Sequence, residues 1–288
     1  AYWERLDANR PVLENFRLNV LPAHAWMVDE SRILLQDFIT DMHNYVGILR
    51  AVANGQQTLG EIGERSGLDG SKASFYLSVL RDTGFVRRDV PISQRGQDSR
   101  RGRYVVTDPY LRFFYRFISA HQSKLALGQV GPVMQQIEES LPEFLERNTW
   151  LELCRTWTLL AGGHDALPLS VDEVGAEWAG NYMVDVVGIN DAERSLVLGD
   201  CYWRAGPVGL EELDALIRKT AQVVPKSGDW RVQYVLFSAA GWTDEARARA
   251  DWLAATSATT RGRQRWRPEG IRLVDLPTVD SDLTEWAV

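Results

Sequence analysis

TLGEIGERSGLDGSKASFYLSVLRDTG, residues 58–84, reads as two helices and the turn between them. Thr58 precedes the first apolar residue and Glu61 stands three positions later, the spacing of a capping box in which each side chain satisfies an amide the helix leaves bare. That helix runs to Ser66 and stops at Gly67. Ser71 is placed to cap the next one, where Ala73, Tyr76, Leu77 and Leu80 form an apolar stripe that ends before Gly84. Lys72, Ser74, Phe75, Ser78 and Arg81 fall nearer its outer face.

Working outward, Tyr45, Ile48, Leu49 and Val52 recur at helical spacing and stop at Asn54-Gly55, which predicts a preceding helix. Downstream, Phe85 to Ile92 and Tyr104 to Thr107 are rich in β-formers, and the arginine-glycine segment between them is a long hairpin tip. Three helices followed by a basic hairpin is the plan of a winged helix-turn-helix over residues 42–121. Residues 81–104 hold seven arginines against three aspartates, although the whole chain carries a formal charge of −7. A contact with nucleic acid must therefore come from this local patch. In such a module the third helix enters the major groove and the wing's guanidinium groups meet phosphates, an attraction that salt weakens. The candidates are Lys72 and Arg81 on the helix and Arg95, Arg100, Arg101 and Arg103 on the wing, with double-stranded DNA as the partner. The competing reading is a module that packs on a neighbouring domain, with a solvated arginine loop.

At 288 residues and 45% apolar composition the chain has room for about two domains with separate cores. No stretch approaches the ~18 apolar residues of a membrane span, and no signal peptide opens the chain, so a cytoplasmic location without membrane contact is expected. Cys154 and Cys201 are too few for a disulfide framework and lack zinc-site spacing. Nine of the eleven tryptophans lie from Trp150 onward, which places a change of architecture near residues 125–145. Gly67-Leu-Asp-Gly70-Ser-Lys72 is too short between its glycines for a phosphate loop, and its lysine follows a serine. No nucleotide site is legible in the chain.

Residues 145–288 read as an α/β unit. Leu145, Leu151, Leu153, Cys154, Trp157 and Leu160 predict a helix closed by Gly162-Gly163. Strands follow at Glu173 to Trp178, Tyr182 to Ile189 and Ser195 to Trp203, then a helix from Leu210 to Val223 and a strand from Arg231 to Ser238. Asp244 to Ala254 is helical and Ile271 to Leu276 is the last strand. The order of helix, β-meander, helix and strand is that of restriction-endonuclease-like folds of the PD-(D/E)XK type. Their chemistry needs two acids on adjacent strands to hold Mg²⁺ and a lysine two residues after the second acid. Asp185 lies inside Met-Val-Asp-Val-Val, and Asp200 follows fifteen residues later, a spacing that lets both meet across a hairpin. The lysine position is Tyr202, which supplies no cation, and Arg204 is a poor planar substitute further along the strand. Three readings follow: a nuclease with a relocated cation, a degenerate fold that still binds nucleic acid, and a structural or partner-docking domain. The structural alternative for each aspartate is a hydrogen-bonded strand residue.

The chain resembles the C-terminal part of prokaryotic, archaeal-type AAA/STAND ATPases, which end in a winged helix and a restriction-endonuclease-like domain of unknown function. The resemblance rests on Ala1-Tyr-Trp-Glu-Arg, residues 45–55, residues 71–77, residues 84–91, residues 103–117 with Thr107 to Phe117 the most specific, Val184-Asp-Val-Val, and Leu198-Gly-Asp-Cys-Tyr-Trp203. It implies that the ATP site lies in a preceding part of a longer protein, that residues 1–41 are a lid remnant or linker, and that this chain's partner is an ATPase domain, its own or another copy's, in an assembly with scope for oligomers. The absent initiator methionine agrees. The family's Glu-x-Lys-Trp is here Asp200-Cys-Tyr-Trp203, and Met183 stands where an acid is frequent. Glu152 loosely matches a further helix acid. The expected layout is a lid remnant over 1–41, a winged helix over 42–121, a linker helix over 122–144 and an endonuclease-like α/β domain over 145–288. The expected role is nucleic-acid binding with a degenerate nuclease-like domain, the alternatives being a Mg²⁺-dependent DNA endonuclease and a protein-interaction module of the ATPase.

Overall fold

The computed structural model describes residues 6–22, 25, 42–97, 99–253, 259–261 and 264–287. Most of the expected lid remnant, with Trp3 and Trp26, lies outside them. The chain forms two compact units, residues 1–89 with 102–141 and residues 90–101 with 142–288.

In the first unit, α1 (Met42–Ala53), α2 (Leu59–Ser66) and α3 (Gly70–Asp82) precede the antiparallel strands β1 (Val86–Asp89) and β2 (Arg103–Val106), paired from Val86↔Val106 to Asp89↔Arg103. The capping box forms as its spacing predicts: Thr58 Oγ1 accepts from the Glu61 amide at 3.4 Å and Glu61 accepts from the Thr58 amide at 2.9 Å. Gly67 closes α2 in the left-handed region at φ 71°, where a side chain would be strained. The cap of α3 is Asp69 and not Ser71: its carboxylate accepts from the Lys72 amide at 2.9 Å. An anion at the positive end of the helix outcompetes a hydroxyl already inside the first turn. Ile48, Leu49, Ile62, Ala73, Leu77 and Leu80 are wholly buried between the helices, while Tyr76 is half-buried and takes a hydrogen bond from Asn44 at 2.9 Å. A helical run over 109–121 buries Phe114, Tyr115, Phe117 and Ile118, and Arg50 is held to Ser119 by its Nε at 2.8 Å.

α4 (Val130–Phe144) leads through a wide turn at 145–150 into α5 (Leu151–Ala161). In the second unit β3 (Glu173–Ala179), β4 (Tyr182–Asn190) and β5 (Ser195–Tyr202) form an antiparallel meander, followed by α6 (Leu210–Val223), β6 (Asp229–Ser238), α7 (Asp244–Leu253), β7 (Thr259–Arg261), β8 (Gln264–Asp275) and α8 (Leu276–Trp286). The sheet order is β3-β4-β5-β6-β8-β7, with β5, β6 and β8 parallel. Leu196, Leu198, Tyr234 and Leu236 pack with Leu213 and Leu216 of α6, while Val197, Val235 and Phe237 pack with Cys154 and Trp157 of α5 and Val279 of α8. Helices on both faces explain why these strands read as continuous apolar runs.

The end of the chain differs from expectation. β8 starts at Gln264, seven residues ahead of the expected strand, and Leu276 begins a helix capped by the Asp275 carboxylate. Val232 pairs with Pro268 and Gln233 with Gly270, so Glu269 is an extra residue, a bulge that lets a strand carry proline. Leu153 faces outward on α5, 36% exposed, and Trp150 is buried in the core ahead of it.

Candidate functional site

Two places gather the chemistry. The first is the outer face of α3. Lys72 and Arg81 are exposed there, each beside an aspartate, Lys72 at 3.5 Å from Asp69 and Arg81 at 3.8 Å from Asp82. Ser71, Ser74 and Phe75 are exposed between them, with Phe75 at 62%.

The wing candidates separate. Arg103 is half-buried on β2 of the first unit, where burial lowers it against the pull of the Glu61 charge. Arg95, Arg100 and Arg101 belong to the second unit, and Arg100 is exposed there. Arg95 pairs with Glu173 at 3.3 Å and with Asp191. Arg101 donates to the Trp178 carbonyl at 2.7 Å and lies 4.0 Å from Glu177, which is almost fully buried; Trp178 Nε1 returns a bond to the Arg101 carbonyl at 3.1 Å. Glu177 also accepts from the Ser93 amide at 3.0 Å, and Ile92 is buried against the space where Gly175 lacks a side chain. The tip of the hairpin is thus seated on β3, and two of its arginines are occupied with carboxylates and carbonyls there.

The second place is the seam between β4 and β5. The register matches Val186 with Gly199, then the backbone ladder gives way to side chains. The Cys201 amide donates to Asp185 Oδ2 at 3.1 Å, and the Asp185 amide donates to Asp200 Oδ1 at 3.4 Å. The two acids meet across the hairpin, as their spacing predicts. Against β3, the register shifts between Gly175 and Glu177 while β4 advances from Val187 to Val184, so Asp185 sits in a bulge, the device that re-aims a strand side chain. A Cβ on Gly199 would stand 2.8 Å from the Val235 carbonyl, so the residue before Asp200 has to be glycine. Burial first, and the neighbouring Asp200 charge second, push the Asp185 carboxyl up to about 6. Arg155 of α5 donates to the Asp185 carbonyl at 2.9 Å. The two thiols, both buried, lie beside Asp185, and burial raises each of them.

The cation absent from the strand comes from a helix. Lys219 of α6 places its Nζ 2.6 Å from Oδ2 of Asp200, whose side chain is only 5% exposed. Tyr202 is half-buried, its hydroxyl raised by burial and then by the Asp200 charge. Arg204 does not serve: it turns to Glu212 at 2.5 Å, with its guanidinium 5.5 Å from the Tyr202 ring. Lys219 escapes a search along the strand, yet the helix pattern carried a signal, because it lies between buried Leu216 and Thr220 on an amphipathic helix. Glu152 is half-buried on α5, and no group of three or more His, Cys, Asp or Glu among the described residues is placed to hold a metal. Two carboxylates alone suit Mg²⁺, which keeps several waters and takes one or two carboxylates together with substrate phosphates. No helix among the described residues is long and apolar enough to cross a membrane.

Comparison with known proteins adds two partial family matches. Residues 44–90, which hold α1 to β1, match the IclR helix-turn-helix domain. Residues 114–216, from the end of the first unit into α6, match a family described as archaea bacterial proteins of unknown function. A curated relative, the uncharacterized protein MJECL04 of Methanocaldococcus jannaschii, is 25% identical over 203 residues, 70% of this chain and 43% of the relative. The chain thus spans less than half of that relative's length. Among solved structures, a mutant of S. aureus MepR aligns with 41% of this chain and 85% of its own at 21% identity and a TM-score of 0.24. Protein VC1899 from Vibrio cholerae aligns with 97% of this chain and 57% of its own at 13% identity and a TM-score of 0.25. Likeness of that degree carries no argument. The chain therefore carries a segment similar to an IclR-type helix-turn-helix, followed by one similar to a family of unknown function.

Proposed function

We propose that this chain is the nucleic-acid-associated region of a larger, nucleotide-driven ATPase, and that it binds duplex DNA through its first unit. The observation that carries the reading is α3: the second helix of a helix-turn-helix whose inner stripe is buried and whose outer face presents Ser71, Lys72, Ser74 and Phe75 to solvent. The resemblance to archaeal-type ATPases, and a match to less than half of a longer relative, support the wider context. Residue roles divide accordingly. Lys72 and Arg81 are the phosphate-facing cations of α3, while Arg95 and Arg101 act within the second unit. The test is duplex binding as a function of salt. The reading requires affinity that falls steeply with salt and falls again in Lys72→Ala/Arg81→Ala; affinity unmoved by both overturns it.

A second reading is favoured by Lys219. Asp185 and Asp200 would hold a Mg²⁺ ion, which when bound supplies Lewis-acid polarisation of a phosphodiester. Lys219 places its ammonium against the Asp200 carboxylate and holds a positive charge beside the pair, and Asp185, kept in place by the Cys201 amide, holds or releases its proton near pH 6. Scission of DNA with Mg²⁺ that disappears in Asp185→Asn and in Lys219→Met would establish hydrolysis. Intact DNA under those conditions leaves the carboxylate pair as the structural core of a degenerate domain.

A further inference from the structure

The outer face of α3 has an order that charge alone does not explain. At about 100° per residue, Ser71, Phe75, Ser78 and Asp82 fall along one line of the helix, opposite the stripe of Ala73, Leu77 and Leu80. Lys72 lies about a quarter-turn to one side of that line and Arg81 about a quarter-turn to the other. The face therefore has a ridge with a cation on each flank. A ridge of hydroxyls and one aromatic ring, closed at its C-terminal end by the Asp82 carboxylate and bordered by positive charge on both sides, offers its N-terminal part to a groove floored by base edges and walled by phosphates. It does not complement an apolar protein surface, because Phe75 has hydroxyl-bearing neighbours along the ridge at Ser71 and Ser78.

Phe75 is 62% exposed, and its ring lies edge-to-face with that of Tyr76, centroids 5.5 Å apart. A phenyl ring makes no hydrogen bond to a base edge. The floor of the major groove offers an apolar partner only in the 5-methyl group of thymine. We infer that Phe75 reads thymine methyl groups in the major groove, with Ser71 and Ser74 donating to or accepting from the neighbouring base edges. This rests on the DNA-binding reading above and narrows it to thymine-containing duplex DNA, with discrimination against the same sequence in uracil form.

The test uses the full chain. Duplexes enriched from a random pool by the unmodified protein are remade with deoxyuridine in place of thymidine, and binding to both forms is measured by fluorescence anisotropy at several salt concentrations. The expected result is a loss of about fivefold to tenfold on removing the methyl groups, the scale of one specific base contact. Phe75→Ala should bind the thymine duplex weaker by a similar factor and should no longer distinguish the two forms, with its salt slope unchanged. Phe75→Leu, apolar but not aromatic, should keep part of the discrimination. Equal affinity of the unmodified chain for both duplexes overturns the inference and leaves the DNA reading standing. Absence of salt-dependent binding to either duplex overturns both.

Discussion

Around α3 and at the β4–β5 seam the chain uses the same two residue types, lysine and aspartate, in opposite surroundings. Lys72 and Asp69 stand 3.5 Å apart in open water, 67% and 58% exposed, whereas Lys219 and Asp200 stand 2.6 Å apart with the carboxylate almost sealed from solvent. Water screens the first pair, so it adds little to stability and stays available to an incoming polyanion. The second pair cannot be broken cheaply, because removing either charge strands the other in a poor dielectric. The exposed pair is worth little to the fold, and the pair sealed at the seam is worth much.

The largest expected effect tests that contrast directly. Lys219→Ala should cost about 3 kcal/mol or more of unfolding free energy in urea, and Asp200→Asn/Lys219→Met should recover much of it, since breaking a buried pair costs more than replacing it. The contrast fails if the single and double variants are equally destabilised. Arg101→Ala should cost about 1–2 kcal/mol, for the lost charged hydrogen bond to Trp178 and the uncovered Glu177, while Arg100→Ala should leave stability within about 0.5 kcal/mol. Asp185 sharpens the picture through pH. Its native carboxyl, at about 6, lies above the ordinary 3.8, so the folded state holds a proton that the unfolded state has released between those values. Stability therefore falls as pH rises through that window, and the cost is complete above pH 6. Asp185→Asn should gain up to about 3 kcal/mol at pH 7 and nothing near pH 3.5, read from urea midpoints at both pH values. The smallest effect belongs to α3: Lys72→Ala should change stability by less than about 0.5 kcal/mol yet reduce the salt slope of DNA binding by about one.

Local signals were legible and distant ones were not. The helices of the first unit follow from apolar spacing and from Thr58 with Glu61, all within a few residues of one another. The cap of α3 was displaced by two positions because Ser71 and Asp69 are both capping types, and only the dihedral angles distinguish them. Asp185 and Asp200 were visible as acids in apolar strands, and their meeting followed from hairpin spacing. Lys219 lies 19 residues beyond Asp200, brought in by the packing of α6 on the sheet, a relation that no strand pattern encodes. The arginines of the hairpin tip showed their charge but not their partners, which lie 77 to 96 residues away. α8 was missed, since the last strand was read through Leu276; its start signal, Asp275 with Pro277, is local but hidden behind a strand that runs straight into it.

The seating of residues 90–101 on β3 bears on where such a chain can be cut. A gene cut near residue 142 would separate the sequence into two regions, but not the molecule into two units, because the second region lacks the segment that covers Glu177 and buries Ile92. An exchange of the helix-turn-helix for an unrelated one would carry that segment away with it. A chimera joined at residue 142 should therefore unfold its second unit at lower urea than one that keeps residues 90–101 with the sheet they cover.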